Sequence, residues 1–198
     1  MYELPTSVTT KDGQVFHITN KGDYRVVLRC FVACDDMELA SEDESVLACL
    51  LIFYNEFNDF DDLTKIPQDT LTELAVFMFN FFNCGQTDIG CKTEKKVIDW
   101  EQDEQIITAA INNVAKTEIR SLDYLHWYTF MGYYLSVGES VLSTVVSIRS
   151  KINKGKKLEK DEQQFRRDNP HYFNYNNKTR RQREDEDYIR SIWNGGNS

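Results

Sequence analysis

The sequence predicts a mainly α-helical protein: a bundle of about six helices, led by a β-hairpin and followed by a charged helical arm. Three observations carry this expectation. Apolar residues recur at three- and four-residue spacing in block after block. The 198 residues include only three prolines and nine glycines, few punctuators for a turn-rich all-β chain. The hydrophobic content of 41% and aromatic content of 13% are those of a chain that builds a core.

The elements follow in order. Leu4 to Thr10 and Gln14 to Thr19 flank Lys11-Asp12-Gly13, and Asp-Gly is a strong tight-turn signal, so the start reads as a hairpin. A two-stranded hairpin is marginal alone and must lean on helices or on another chain. Asp23 is placed to cap a helix from Tyr24 to about Cys34, with Val27, Cys30, Phe31 and Cys34 on one face. Ser41 and Glu44 fit a capping box for a second helix through Val46, Leu50 and Tyr54. Residues 55–65 read as an acidic loop. Pro67 suits the first turn of a third helix, which carries Leu71, Leu74, Met78 and Phe82 and ends at Cys84-Gly85. Residues 86–97 read as an exposed loop. Asp99 is expected to cap a fourth helix with Ile106, Ile107, Ala110, Ile111 and Val114 inward. Ser121 is expected to cap an aromatic fifth helix over 122–137, with Gly138 breaking the pattern. A sixth carries Val141, Val145, Ile148 and Ile152, and its basic end suits the negative pole of the helix dipole. Leu158 to Arg167 and Thr179 to Trp193 read as short helices of the arm. The division expected is a helical domain over 1–157 and a basic, aromatic arm over 158–198.

Charge is distributed unevenly. Residues 1–148 carry −14 and residues 149–198 carry +5, which together give the net charge of −9. An acidic body with a basic arm suggests docking on an acidic surface, with self-association as one outcome. Nucleic acid is a poor partner for such a body, because eight carboxylates are interleaved with the arm's cations. MYELPTSVTT has neither a basic n-region nor an apolar h-region, so no signal peptide is expected. No apolar run approaches the ~20 residues of a membrane span. The chain is expected to be soluble and intracellular. Its five cysteines are then expected to be reduced.

No phosphate-binding, dinucleotide-binding, zincin or nucleophile-elbow motif is present, and the expectation is a protein that is not an enzyme and needs no metal or cofactor. The acidic knot Asp99 to Glu104 fits the first turn of a helix better than an acid/base site, since its carboxylates point around the axis. His126, among aromatics, reads as a satisfied half-buried histidine rather than as one of an orienting pair with Asp123, three residues earlier. Cys84-x6-Cys91 lacks the spacing of a zinc knuckle. The remaining candidates are partner-binding residues. From the aromatic block, these are Tyr124, Trp127, Tyr128, Tyr133 and Tyr134. The basic helix end adds Arg149, Lys156 and Lys157. The arm adds Phe165, Tyr172 and Trp193, aromatics in a segment too charged for a core of its own.

Four segments carry a resemblance: MYELPTSV; DWEQD followed by I-x-A-A-x-N (Asp99 to Asn112); IRS-x-x-YLHWYTFMG (Ile119 to Gly132); and STVVSIRSKINKGKKLEKDEQQF (Ser143 to Phe165). In this order they resemble the bacteriophage gene-product-fifteen family of siphophages and prophages of Gram-positive bacteria, up to about Phe173. The resemblance implies a tail assembly chaperone that binds the tape measure protein and/or the tail tube protein in the host cytoplasm and is absent from the finished virion. It supplies no catalytic residue. The alternatives are a structural virion protein of the tail or head–tail connector, whose hairpin pairs with neighbours, and, more weakly, a nucleic-acid-binding regulator using the basic arm.

Overall fold

A computed structural model describes residues 3–34, 41–86 and 96–174. Among these, eight α-helices follow a two-stranded antiparallel hairpin. Strand β1 is Ser7–Thr9 and β2 is Val15–His17, paired with Val8 opposite Phe16. Gly13 turns the chain at φ 84°, a region open to glycine. The hairpin leans on the body as expected. Phe16 is buried against the rings of Tyr54 and Phe57, and His17 O accepts from Asn55 N at 2.9 Å.

Helices α1 (Tyr24–Cys34), α2 (Glu42–Phe53), α3 (Phe60–Thr64) and α4 (Gln68–Phe82) form the first half. Asp23 accepts the Arg25 N–H at 3.0 Å, and Ser41 accepts the Glu44 N–H at 3.2 Å, the two caps read from sequence. The short α3 lies where an acidic loop was expected. Asp59 caps it by accepting from Asp62 N, and Leu63 is its buried residue. Pro67 stands just ahead of α4, which ends where Cys84 (φ 54°) and Gly85 (φ 78°) turn left-handed.

The second half comprises α5 (Glu104–Ala115), α6 (Trp127–Leu135), α7 (Val141–Asn153) and α8 (Lys160–Asp168). Two boundaries differ from the sequence reading. Asp99 caps a turn, accepting from Glu101 N at 3.1 Å and Gln102 N at 2.8 Å, and α5 starts only at Glu104. The aromatic helix starts at Trp127, not after Ser121, because Leu125 and His126 run extended to pair with the start of α1. Tyr24 N donates to Leu125 O, and Leu125 N to Asp23 Oδ2, each at 2.9 Å. That pairing spans a hundred residues of sequence, and local spacing does not encode it.

The core runs through both halves. Val26, Val27 and Cys30 of α1 meet Leu50 and Phe53 of α2, and α1 also packs against α6. Trp127, Phe130 and Leu142 are buried in this core. Cys30 and Cys49 are buried, but Cys34 is exposed, contrary to a core reading, because it sits at the last turn of α1. Its sulfur lies 3.3 Å from Cys49 Sγ, while hydrogen bonding with Cys30 leads the effects that push the Cys49 thiol up to about 12. No helix among the described residues is long and apolar enough to cross a membrane.

Candidate functional site

The expected partner-binding residues separate into three groups. Tyr124 is exposed, with its hydroxyl donating to Lys21 O at 3.1 Å, and Lys156 and Lys157 are exposed beyond the end of α7. Tyr128, Tyr133 and Tyr134 are half-buried; Tyr128 lies beside Phe81, and Tyr134 beside Trp100. Trp127 and Arg149 are not surface residues: their exposures are 1% and 3%. Trp127 fills the core and donates Nε1–H to Phe82 O at 3.0 Å, so it meets no partner without the body opening. Trp193 and the expected helix over 179–193 lie outside the described residues, as do Cys91 and most of the 86–97 loop.

Arg149, read from sequence as part of a basic helix end, is the centre of a buried polar knot. Its Nη1 and Nη2 form a two-pronged pair with the Asp103 carboxylate, the Nη2–Oδ1 distance being 2.9 Å. Nε donates to Tyr172 O at 2.8 Å, and Nη1 donates to Val97 O at 3.0 Å. Asp103 is the N-cap residue of α5 and also accepts from Asp99 N at 2.9 Å. The acidic knot is therefore partly a socket for a cation. A planar, five-donor guanidinium suits it and a lysine does not. The knot fixes residues 170–174 to the body, joined by Gln102 Nε2 donating to His171 O at 2.7 Å and Asn174 O at 3.0 Å. Phe165 and Tyr172 pack against the core from the same stretch. Arg149 and Tyr172, two of the expected site residues, are thus brought together, but through a backbone carbonyl and inside the body.

His126 is buried and caps α6. Its Nδ1 accepts the Tyr128 N–H at 3.0 Å, so the ring proton sits on Nε2, which donates to Pro5 O at 3.1 Å. Burial pushes its pKa below the ordinary value, only partly opposed by the Pro5 carbonyl and by Asp23. Asp23, not Asp123, is its carboxylate neighbour. Among the described residues no cluster of His, Cys, Asp or Glu is arranged to hold a metal ion.

Among the hollows on the described residues is a groove of about 380 Å³ between α1, α5 and the 3-10 turn Ile119–Ser121. Tyr24, Leu28, Val32, Trp100, Ile107 and Phe130 supply its apolar lining. Arginines 25, 29 and 120 and glutamates 101 and 104 give it charge of both signs. Arg25 is held in place by Asp23 at 3.1 Å and by Leu122 O at 2.7 Å, with its guanidinium 4.8 Å from the Tyr24 ring centre. Arg120 is clamped by Glu118 at 2.9 Å, which holds the Glu118 carboxyl down to about 2. The sequence reading missed this groove. Its one local signal is that Tyr24, Leu28 and Val32 recur every fourth residue on α1, a second apolar stripe beside the one already assigned to the core.

A family model described as Bacteriophage Gp15 protein matches residues 3–173, and the chain belongs to that family. Neither the curated proteins nor the solved structures hold a significant match to it.

Proposed function

We propose that this member of the bacteriophage Gp15 family is a tail assembly chaperone, which binds the tape measure protein and/or the tail tube protein during tail morphogenesis in the host cytoplasm and leaves before the virion is complete. It acts by binding rather than by catalysis. The observation that carries the reading is the groove over α1. An apolar floor bordered by arginines and glutamates fits one face of an amphipathic helix, with i, i+3, i+4 apolar anchors below and charges at the edge. A long helical client, insoluble until packed into a tube, presents such faces repeatedly. The acidic body agrees with this role, since like charge keeps free chaperone molecules apart.

Two measurements test the reading together. Mass spectrometry of purified virions should lack this chain, whereas co-expression should recover it with the tape measure or tube protein. Presence in the virion at a fixed copy number would favour a structural tail or connector subunit instead.

A further inference from the structure

Three cysteines meet where α1 packs on α2, apart from both the groove and the Arg149 knot. Cys30 is buried, Cys34 is exposed one turn later at the end of α1, and Cys49 is buried in α2. Two reciprocal bonds lace the helices together: Cys30 Sγ–H donates to Cys49 O at 3.8 Å, and Cys49 Sγ–H donates to Cys30 O at 3.4 Å. With its proton engaged there, Cys49 Sγ turns its lone pairs to Cys34, whose Sγ lies 3.3 Å away. We propose that Cys34 and Cys49 are a disulfide-forming site, at which a small-molecule disulfide oxidises the pair and clasps the end of α1 to α2.

Three features of the cluster support that chemistry. The first is distance. An S–S bond is ~2.05 Å long, so the two sulfurs need to approach by about 1.3 Å. Cys34 is the last residue of α1, and the end of a helix gives way more easily than its middle, so that approach does not disturb the core. The second is access. A reagent in solution reaches Cys34, whereas burial shields Cys30 and Cys49. The third is order. The Cys49 thiol, pushed up to about 12 chiefly by its hydrogen bond with Cys30, is a poor first nucleophile, so Cys34 reacts first and Cys49 closes the bond. In the first step the Cys34 thiolate attacks one sulfur of the reagent RSSR, whose S–S bond breaks. A mixed disulfide forms on Cys34, and one thiolate RS⁻ leaves. In the second, Cys49 gives its proton to solvent and its sulfur attacks Cys34 Sγ, expelling the other RS⁻. The protein loses two electrons and two protons, and the reagent ends as two molecules of RSH.

The bond joins positions 15 residues apart and so restricts the unfolded chain more than the folded one. It also fixes the turn of α1 that carries Val32 of the groove wall. Any effect of that on a client rests on the groove being the client site. The bond itself does not, and it is measured without a client. The reduced full-length chain is incubated with oxidised glutathione, desalted, and followed by intact mass, by peptide mapping without reductant and by thermal melt. The mass should fall by about 2 Da, and mapping should recover the Cys34 and Cys49 peptides joined to each other. The melting temperature should rise by about 5 °C or more and return on reduction. Cys34→Ser, an exposed change that spares the core, should abolish both the linkage and the rise, and Cys49→Ala should do the same. Cys84→Ser should keep both. A wild type that loses no mass, a glutathione adduct that stays on Cys34, or a bond to any other cysteine or to a second chain would overturn the proposal. So would a linkage formed without a rise in melting temperature, or a rise that survives in Cys34→Ser.

Discussion

Trp127 and Arg149 are hidden to nearly the same degree, yet the regions around them hold together by opposite means. Around Trp127, α1, α4 and α6 meet through stacked and edge-on rings, with Phe31, Trp100 and Phe130 within 6.2 Å of it centre to centre. Burial, which is non-directional, supplies most of that stability, and ring geometry adds a modest preference. Around Arg149, three pieces of chain meet at a single guanidinium whose donors all have fixed acceptors. That arrangement is directional and fails as a unit when one member is removed. The body is therefore packed like an ordinary core, whereas residues 158–174 are attached to it by the packing of Phe165 and Tyr172 and by polar contacts at Arg149, Gln102 and Lys151.

The largest expected effect breaks the polar side. Arg149→Ala leaves Asp103 buried without its counter-charge and frees Tyr172, and should cost ~3–5 kcal/mol in a denaturant titration. The pairwise double variant Arg149→Met/Asp103→Leu should recover much of that loss, because apolar replacements of both partners remove the desolvation penalty too. A double variant as unstable as the single one would mean that the hydrogen bonds to Val97 and Tyr172 dominate instead. On the apolar side, Trp127→Ala should cost ~3–5 kcal/mol with no such rescue by a neighbouring change. A loss under about 1 kcal/mol would place that ring at the surface.

A smaller effect lies where the two halves touch. Gly22 has φ 79°, and a Cβ there would lie 2.7 Å from Phe81 Cζ and 3.1 Å from His126 Nε2. Gly22→Ala should cost ~2–4 kcal/mol, part from the left-handed backbone and part from the crowding; a neutral thermal melt would contradict both.

The smallest effect is a pH dependence. His126 has a folded pKa below its ordinary 6.5, so the unfolded chain binds the extra proton first. Stability is then full above the ordinary value and falls as pH drops through it toward the folded value. A proton added at Nδ1 would also cost the cap on Tyr128 N. Denaturation midpoints taken from about pH 8 to about pH 5 should therefore decline, and His126→Asn, which keeps a capping acceptor, should flatten that decline. A decline unchanged in the variant would assign it to other groups.

The same contrast explains what the sequence made legible. The apolar stripes of α1, α2, α4 and α7 follow helical spacing, and Asp23, Ser41 and the Cys84-Gly85 turn mark real ends, because these signals act within a few residues. Arg149 reads from sequence as part of a basic, partner-binding helix end because its partner lies 46 residues away and the lysines at 154, 156 and 157 after it are exposed. The start of α6 was misplaced for the same reason, since the Asp23–His126 pairing overrides a local cap at Ser121. The groove was overlooked because Tyr24, Leu28 and Val32 satisfy the core pattern as well as they satisfy a binding face. Only the turn at Ile119–Ser121 and the position of Trp100 make it a groove.

The central claim is that the α1 groove receives a helical tail protein, and the most direct measurement is the affinity of the full-length chain for the purified tape measure protein and tube protein, compared with Arg29→Glu and Leu28→Glu. If the claim holds, the wild type binds at least one of the two, and each change weakens that binding at least about tenfold while Arg29→Glu leaves the thermal melt unchanged. Binding of equal strength in all three chains, or no binding to either tail protein, would contradict it.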